Sequence, residues 1–258
     1  MEVIVRPRAD DAAALAAALI GARLRAKPNL TLGLATGRTM ELLYGKLVAM
    51  DLDFSQCRSF NLDEYVGVSS DDEHSYRRYM DQHLFRHVNI PPASTHVLDG
   101  MATDLGAEAL RYERLIRDAG GIDVQLLGIG EAGHIGFNEP LSALMSRTRE
   151  KALSPITRRQ NAVMFGGDIE RVPTRALTMG VGTILEAREL LLLATGEAKA
   201  AIVARAVEGP ITSMISASAL QLHPNCKVIL DEAAASALSQ REYYDWVFQN
   251  EPEWAAYR

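Results

Sequence analysis

Short apolar runs alternate along the chain with longer stretches in which apolar positions recur at helical spacing. Val3-Ile4-Val5 reads as a strand and residues 11–25 as a helix with Asp10 or Asp11 near its N-cap. Leu30 to Leu34 is a strand that breaks at Ala35-Thr36-Gly37, and helical spacing resumes over 40–50. Residues 57–62 read as a strand, and 75–86 and 104–118 as helices. Ile122 to Leu127 is a further strand that opens into a glycine-rich loop. Leu190 to Ala194 is apolar throughout, which suits a strand buried on both faces. A helix follows from about Glu197 to Val207, then a strand at Val228-Ile229-Leu230 and a C-terminal helix carrying Tyr243, Tyr244, Trp246 and Phe248. Strands alternating with helices predict an α/β fold, a mostly parallel Rossmann-like three-layer sandwich. No repeat, linker or shift in composition interrupts 1–258, so one domain is expected.

Composition narrows the partners. The chain has 258 residues with 27 Lys plus Arg against 33 Asp plus Glu, a formal charge of −6. That balance argues against nucleic acid or an anionic membrane as partner, but leaves room for a small anion held by a few local cations. No apolar run approaches the roughly 18 residues of a membrane span. Cys57 and Cys226 are two cysteines without ligand spacing, as in a reduced, cytoplasmic setting. His83 and His87 stand at i, i+4 with no adjacent Glu and no third ligand, so no metal site is expected.

In open parallel sheets ligands bind beyond the carboxyl ends of the strands. Four such loops carry unusual polar residues. Thr36-Gly37-Arg38-Thr39 would offer free N–H groups, a hydroxyl and a guanidinium to a phosphate, or would be a plain turn with Thr39 as N-cap. Asp63-Glu64 sets two carboxylates at a strand end, as a general base requires, or as a solvated pair would also have them. Gly128-Ile129-Gly130-Glu131-Ala132-Gly133 matches the dinucleotide pattern G-x-G-x-x-G, but Gly136, Asn138 and Pro140 follow too soon for the long helix that pattern opens. His134 and Glu139 in the same loop are better placed, as a proton-shuttling pair. Lys199 falls in the first turn of a helix, where a cation opposes the macrodipole unless an anion sits there.

Taken together, these loops resemble the glucosamine-6-phosphate deaminase (isomerase) family over nearly the whole chain. Leu32-Gly33-Leu34-Ala35-Thr36-Gly37 is similar to its phosphate loop, Phe60-Asn61-Leu62-Asp63-Glu64-Tyr65-Val66-Gly67 to its N-x-D-E-Y-V-G segment, and Gly133-His134-Ile135-Gly136-Phe137-Asn138-Glu139-Pro140 to its G-H-I-x-F-N-E-P signature. Thr178 to Ile184 and Ser218 to His223 also fit. The related 6-phosphogluconolactonases share the fold and the G-H, without the N-E-P. The resemblance implies that an amino-sugar 6-phosphate is converted to the ketose phosphate and ammonia, with neither metal nor organic cofactor. It implies Asp63 as the base at C1/C2, His134 assisting ring opening, Glu139 tuning His134, and the 36–39 loop with Lys199 on the phosphate. Glu64 and Glu131 would be supporting residues. Galactosamine 6-phosphate is the alternative substrate, and a sugar-phosphate sensor with weakened catalysis the alternative role. A homo-oligomer is compatible with the resemblance.

The chain departs from the family pattern at several positions. Ala132 replaces an Asp two residues before the histidine. Val163 stands where members carry a phosphate-reaching arginine, and Arg38 stands in the phosphate loop where they have a small residue, so Arg38 is expected to restore the charge. Ser142, Arg149 and Lys151 match an effector site of some members, while Ala143 and Ala152 replace its hydroxyls, so activation by an N-acetylated sugar phosphate is expected to be weak or absent.

Overall fold

The computed structural model describes residues 1–258. Ten strands form: β1 (Glu2–Arg6), β2 (Thr31–Leu34), β3 (Arg58–Asn61), β4 (Asp63–Tyr65), β5 (Thr95–His96), β6 (Val124–Leu127), β7 (Arg149–Ala152), β8 (Arg175–Thr178), β9 (Glu189–Ala194) and β10 (Cys226–Asp231). Nine α-helices lie among them: α1 (Ala9–Ala26), α2 (Arg38–Ala49), α3 (Tyr76–Met80), α4 (Leu105–Asp118), α5 (Pro155–Asn161), α6 (Val181–Leu185), α7 (Ala200–Val207), α8 (Glu232–Ala235) and α9 (Arg241–Asn250).

Seven strands make one parallel sheet in the order β1-β10-β9-β6-β2-β3-β5, flanked by helices on both sides. The expected Rossmann-like α/β sandwich is what forms. The residues of β9 and β10 are buried throughout, as their apolar composition requires of central strands. The chain runs outward from β2 to β3, then returns to β6 on the other side of β2. The switch point between β2 and β6 opens a crevice at the strands' carboxyl ends.

A second sheet, absent from the sequence reading, pairs β4, β8 and β7 antiparallel. Its own apolar cluster includes Tyr65, Tyr76, Phe137, Phe165 and Val172 and binds this sheet to α3 and to the 3-10 segment Ala162–Phe165 that follows α5. The segment expected to be a loop after residue 62 is therefore strand at Asp63–Tyr65, held by Asp63 and Thr178 in register.

Other differences are local. The expected helix 75–86 is α over five residues and then a π-helical turn, Asp81–Phe85. The N-cap of α1 is Arg8 without a side-chain cap, and Asp11 in the first turn pairs with Arg8 instead, at 2.9 Å. Phe248 of α9 packs into the core beside Trp254, while Tyr243 and Trp246 are exposed. His83 packs on Tyr79, and His87 Nε2 lies 2.8 Å from the Gln82 carbonyl. No helix is long and apolar enough to cross a membrane. Cys57 and Cys226 are both free and buried.

Candidate active site

One cavity of about 990 Å³ opens where β9, β6, β2 and β3 end. It brings together Thr36, Gly37, Arg38, Thr39, Asp63, Glu131, His134 and Lys199, residues spread over more than 160 positions of sequence. Glu64 and Glu139 do not line it; each stands behind a residue that does.

One side of the cavity is built by two strand–helix junctions. Gly37 caps α2 with φ +116°, a left-handed conformation that glycine adopts without strain, and no side chain occupies the cap. The first N–H groups of α2 are left for a ligand. Thr39 is not the N-cap. Its Oγ1 lies 3.3 Å from Thr195 Oγ1, tying the loop after β2 to the loop after β9. Tyr79 donates to the Gly37 carbonyl at 2.8 Å, and the Asp231 carboxylate accepts from Gly196 N–H at 3.0 Å, so both junctions are braced from behind. Lys199 ends a short 3-10 turn that leads into α7. Burial lowers its pKa; the Glu131 carboxylate opposes that shift and the Arg38 charge adds to it. Those three side chains therefore sense one another across the cavity.

The cavity also holds Asp63, the first residue of β4. It is buried, and burial followed by the neighbouring Glu64 charge raises its pKa to about 8. The Glu64 carboxylate turns away from the cavity and accepts from the backbone N–H groups of Tyr65, Tyr76 and Arg77 at 2.8, 3.0 and 3.1 Å. It thereby caps α3, and burial raises its own pKa to about 7 against those hydrogen bonds.

His134 sits in a loop closed by Gly130 N–H donating to the His134 carbonyl at 2.9 Å. A Cβ at Gly130 would collide with the His134 ring, so glycine there is what lets the imidazole lie across the backbone. Burial lowers the His134 pKa, with Glu139 pulling it back up. The ring is therefore neutral near physiological pH, with one nitrogen free to accept a proton. Glu139 Oε2 lies 3.7 Å from His134 Nδ1, and neither atom has another protein partner. Glu139 Oε1 accepts from Ser154 N–H at 2.8 Å, which anchors the carboxylate. Asn138 does not face the cavity. It donates to the carbonyls of Ile135 and Met179 and accepts from Arg149, stapling the loop to β8 and β7. Ala132 offers no carboxylate, so Glu139 is the acidic group within 4 Å of His134.

Sequence reasoning missed α5 and with it Arg159, Gln160 and Asn161, which all line the cavity. Gln160 Oε1 accepts from Glu131 N–H at 3.1 Å, and Asn161 Nδ2 donates to Tyr65 OH at 2.8 Å. A signal was there: Ser154 followed by Pro155 is an N-cap and first-turn pair, and Ser154 Oγ does cap Thr157 N–H at 3.2 Å.

A crevice at the switch point of a parallel sheet, with helix N-termini on one side and a buried carboxylate beside a histidine on the other, defines an α/β protein that receives a small phosphorylated ligand and moves protons on it. The chain belongs to the glucosamine-6-phosphate isomerases/6-phosphogluconolactonase family, whose sequence profile matches residues 7–227. It is 46% identical over 258 residues to a glucosamine-6-phosphate deaminase of Mycolicibacterium smegmatis, covering 98% of this chain and 99% of that protein. A second one, from Hahella chejuensis, is 47% identical over 251 residues, covering 96% and 95%. A solved monomeric glucosamine-6-phosphate deaminase superposes with a TM-score of 0.89 at 42% identity, covering 92% of this chain and 100% of that one. A 6-phosphogluconolactonase from Leishmania guyanensis shares the fold, with a TM-score of 0.71 at 21% identity.

Proposed function

We propose that residues 1–258 act as one domain that isomerises and deaminates an amino-sugar 6-phosphate, taking glucosamine 6-phosphate and water to fructose 6-phosphate and ammonia. The observation that carries this reading is the buried Asp63 carboxylate in the same cavity as His134 and the open N-terminus of α2. The family membership and the deaminase relatives, each matched over nearly the full chain, support it.

In this reading the N-terminus of α2, Thr36, Thr39 and Lys199 hold the phosphate, with Arg38 supplying a further charge. Neutral His134 takes the proton of the C1 hydroxyl and passes it to the ring oxygen as the C1–O5 bond breaks, and Glu139 stabilises the imidazolium formed in between. Asp63 then removes the C2 proton and returns it to C1 while one ammonium proton passes to O1, which converts the aminoaldehyde to a 2-iminium sugar. Water adds at C2 and ammonia leaves. The ammonium-bearing substrate places a positive charge near Asp63, which favours the ionised carboxylate needed for that step.

The test is ammonia release measured across the hexosamine 6-phosphates. Release is expected with glucosamine 6-phosphate, and none from it would end this reading. Faster release from the C4 epimer would reassign the substrate to galactosamine 6-phosphate.

A further inference from the structure

Two consecutive arginines on α5 are used in different ways. Arg158 is half-buried and donates to the carbonyls of Ile169 and Val172 at 2.7 and 3.3 Å, which holds the following loop. Arg159 is exposed, lines the cavity, and forms no ion pair or hydrogen bond within the chain. Ile156, Arg159, Gln160, Asn161, Val163 and Met164 of this segment line the cavity. Arg159 is the single charge among them, flanked by uncharged side chains that neither pair with it nor draw it away.

Gln160 fixes where that charge stands. Its Oε1 accepts from Glu131 N–H, so α5 is latched to the loop after β6. Glu131 in turn lies close enough to Lys199 to affect its ionisation, as does Arg38. Arg159, the residue before Gln160, lines the same cavity as Arg38 and Lys199. Arg38, Arg159 and Lys199 are the cations of the lining, against Asp63 and Glu131. In a chain of net charge −6, this cavity is a local reversal of sign.

We propose that Arg159 is a substrate-binding residue that engages the phosphate dianion from α5, together with Arg38 and Lys199. Guanidinium is the side chain best matched to a phosphate, through two parallel charge-assisted hydrogen bonds.

The proposal rests on a phosphorylated substrate, and the experiment separates the two. Wild type, Arg159→Ala and Arg159→Lys are compared in the affinity for inorganic phosphate by calorimetry and in KM and kcat for ammonia release from glucosamine 6-phosphate. For Arg159→Ala, KM and the phosphate dissociation constant are each expected to rise by about tenfold or more, as for a lost charge-assisted contact. The change in kcat should be far smaller, and Arg159→Lys should recover part of the loss. Unchanged phosphate affinity and KM in Arg159→Ala would overturn the assignment, as would a fall in kcat at constant KM. If wild type releases no ammonia, the functional reading fails while the calorimetry still decides Arg159. An exposed side chain without partners is removed here, so the melting temperature without phosphate should match wild type.

Discussion

Burial and the Glu64 charge lift the Asp63 pKa to about 8, and this has opposite consequences for folding and for chemistry. A carboxyl whose folded pKa exceeds its unfolded value adds stability while both states are protonated. That stability is lost as pH rises from the ordinary aspartate value toward 8. Asp63→Asn keeps the shape and removes the charge. The melting-temperature advantage of Asp63→Asn over wild type should grow between pH 4 and about 8, then level off. The same variant should lose roughly 10²- to 10⁴-fold in kcat, the usual worth of a general base. In wild type, kcat/KM should climb with pH through about 8, because that parameter follows the free enzyme's ionisations. A profile that is flat from pH 6 to 9 would remove Asp63 from the role of base.

Among the elements, α3 and β4 show how the second sheet positions Asp63. Glu64 satisfies three backbone donors at once and so locks the start of α3 to the strand that carries Asp63. Glu64→Ala leaves those buried N–H groups without an acceptor. Chemical denaturation should then report a loss of roughly 2 kcal/mol or more. With the Glu64 charge gone, the rise of kcat/KM should also shift to lower pH. This arrangement was not legible in the sequence. Leu190 to Ala194 is an apolar run long enough to declare itself a strand, and the main sheet followed from such runs. β4 has three residues, β5 two, and β7 reads Arg-Glu-Lys-Ala, so none offers a period-2 signal. The residues of the four loops were legible because glycine, paired carboxylates and histidine are unusual directly after a buried strand. Arg159 was not, because a charged residue on a short polar helix looks like any solvated surface until the fold lays it against the cavity. Likewise Glu64 read as half of an acidic pair, and only the pairing of β4 with β8 separates its task from that of Asp63.

At the scale of the whole molecule, the net charge of −6 belongs to the outer surface, while the cavity gathers Arg38, Arg159 and Lys199 beside the N-terminus of α2. Arg38 disfavours the charge on Lys199 in the empty protein, and Glu131 offsets that in part. An anion that binds the folded state alone stabilises it by mass action, about 2.7 kcal/mol at a hundred times its dissociation constant. For a chain of this size that is a rise of roughly 5–10 °C in melting temperature. Inorganic phosphate should produce such a rise in wild type, and Lys199→Ala should shrink it. Sodium chloride at equal ionic strength is the necessary control, because salt also screens repulsion among the surplus carboxylates. A chloride effect as large as the phosphate effect, and unchanged by Lys199→Ala, would place the stabilisation on the acidic surface and leave the cavity without a phosphate site.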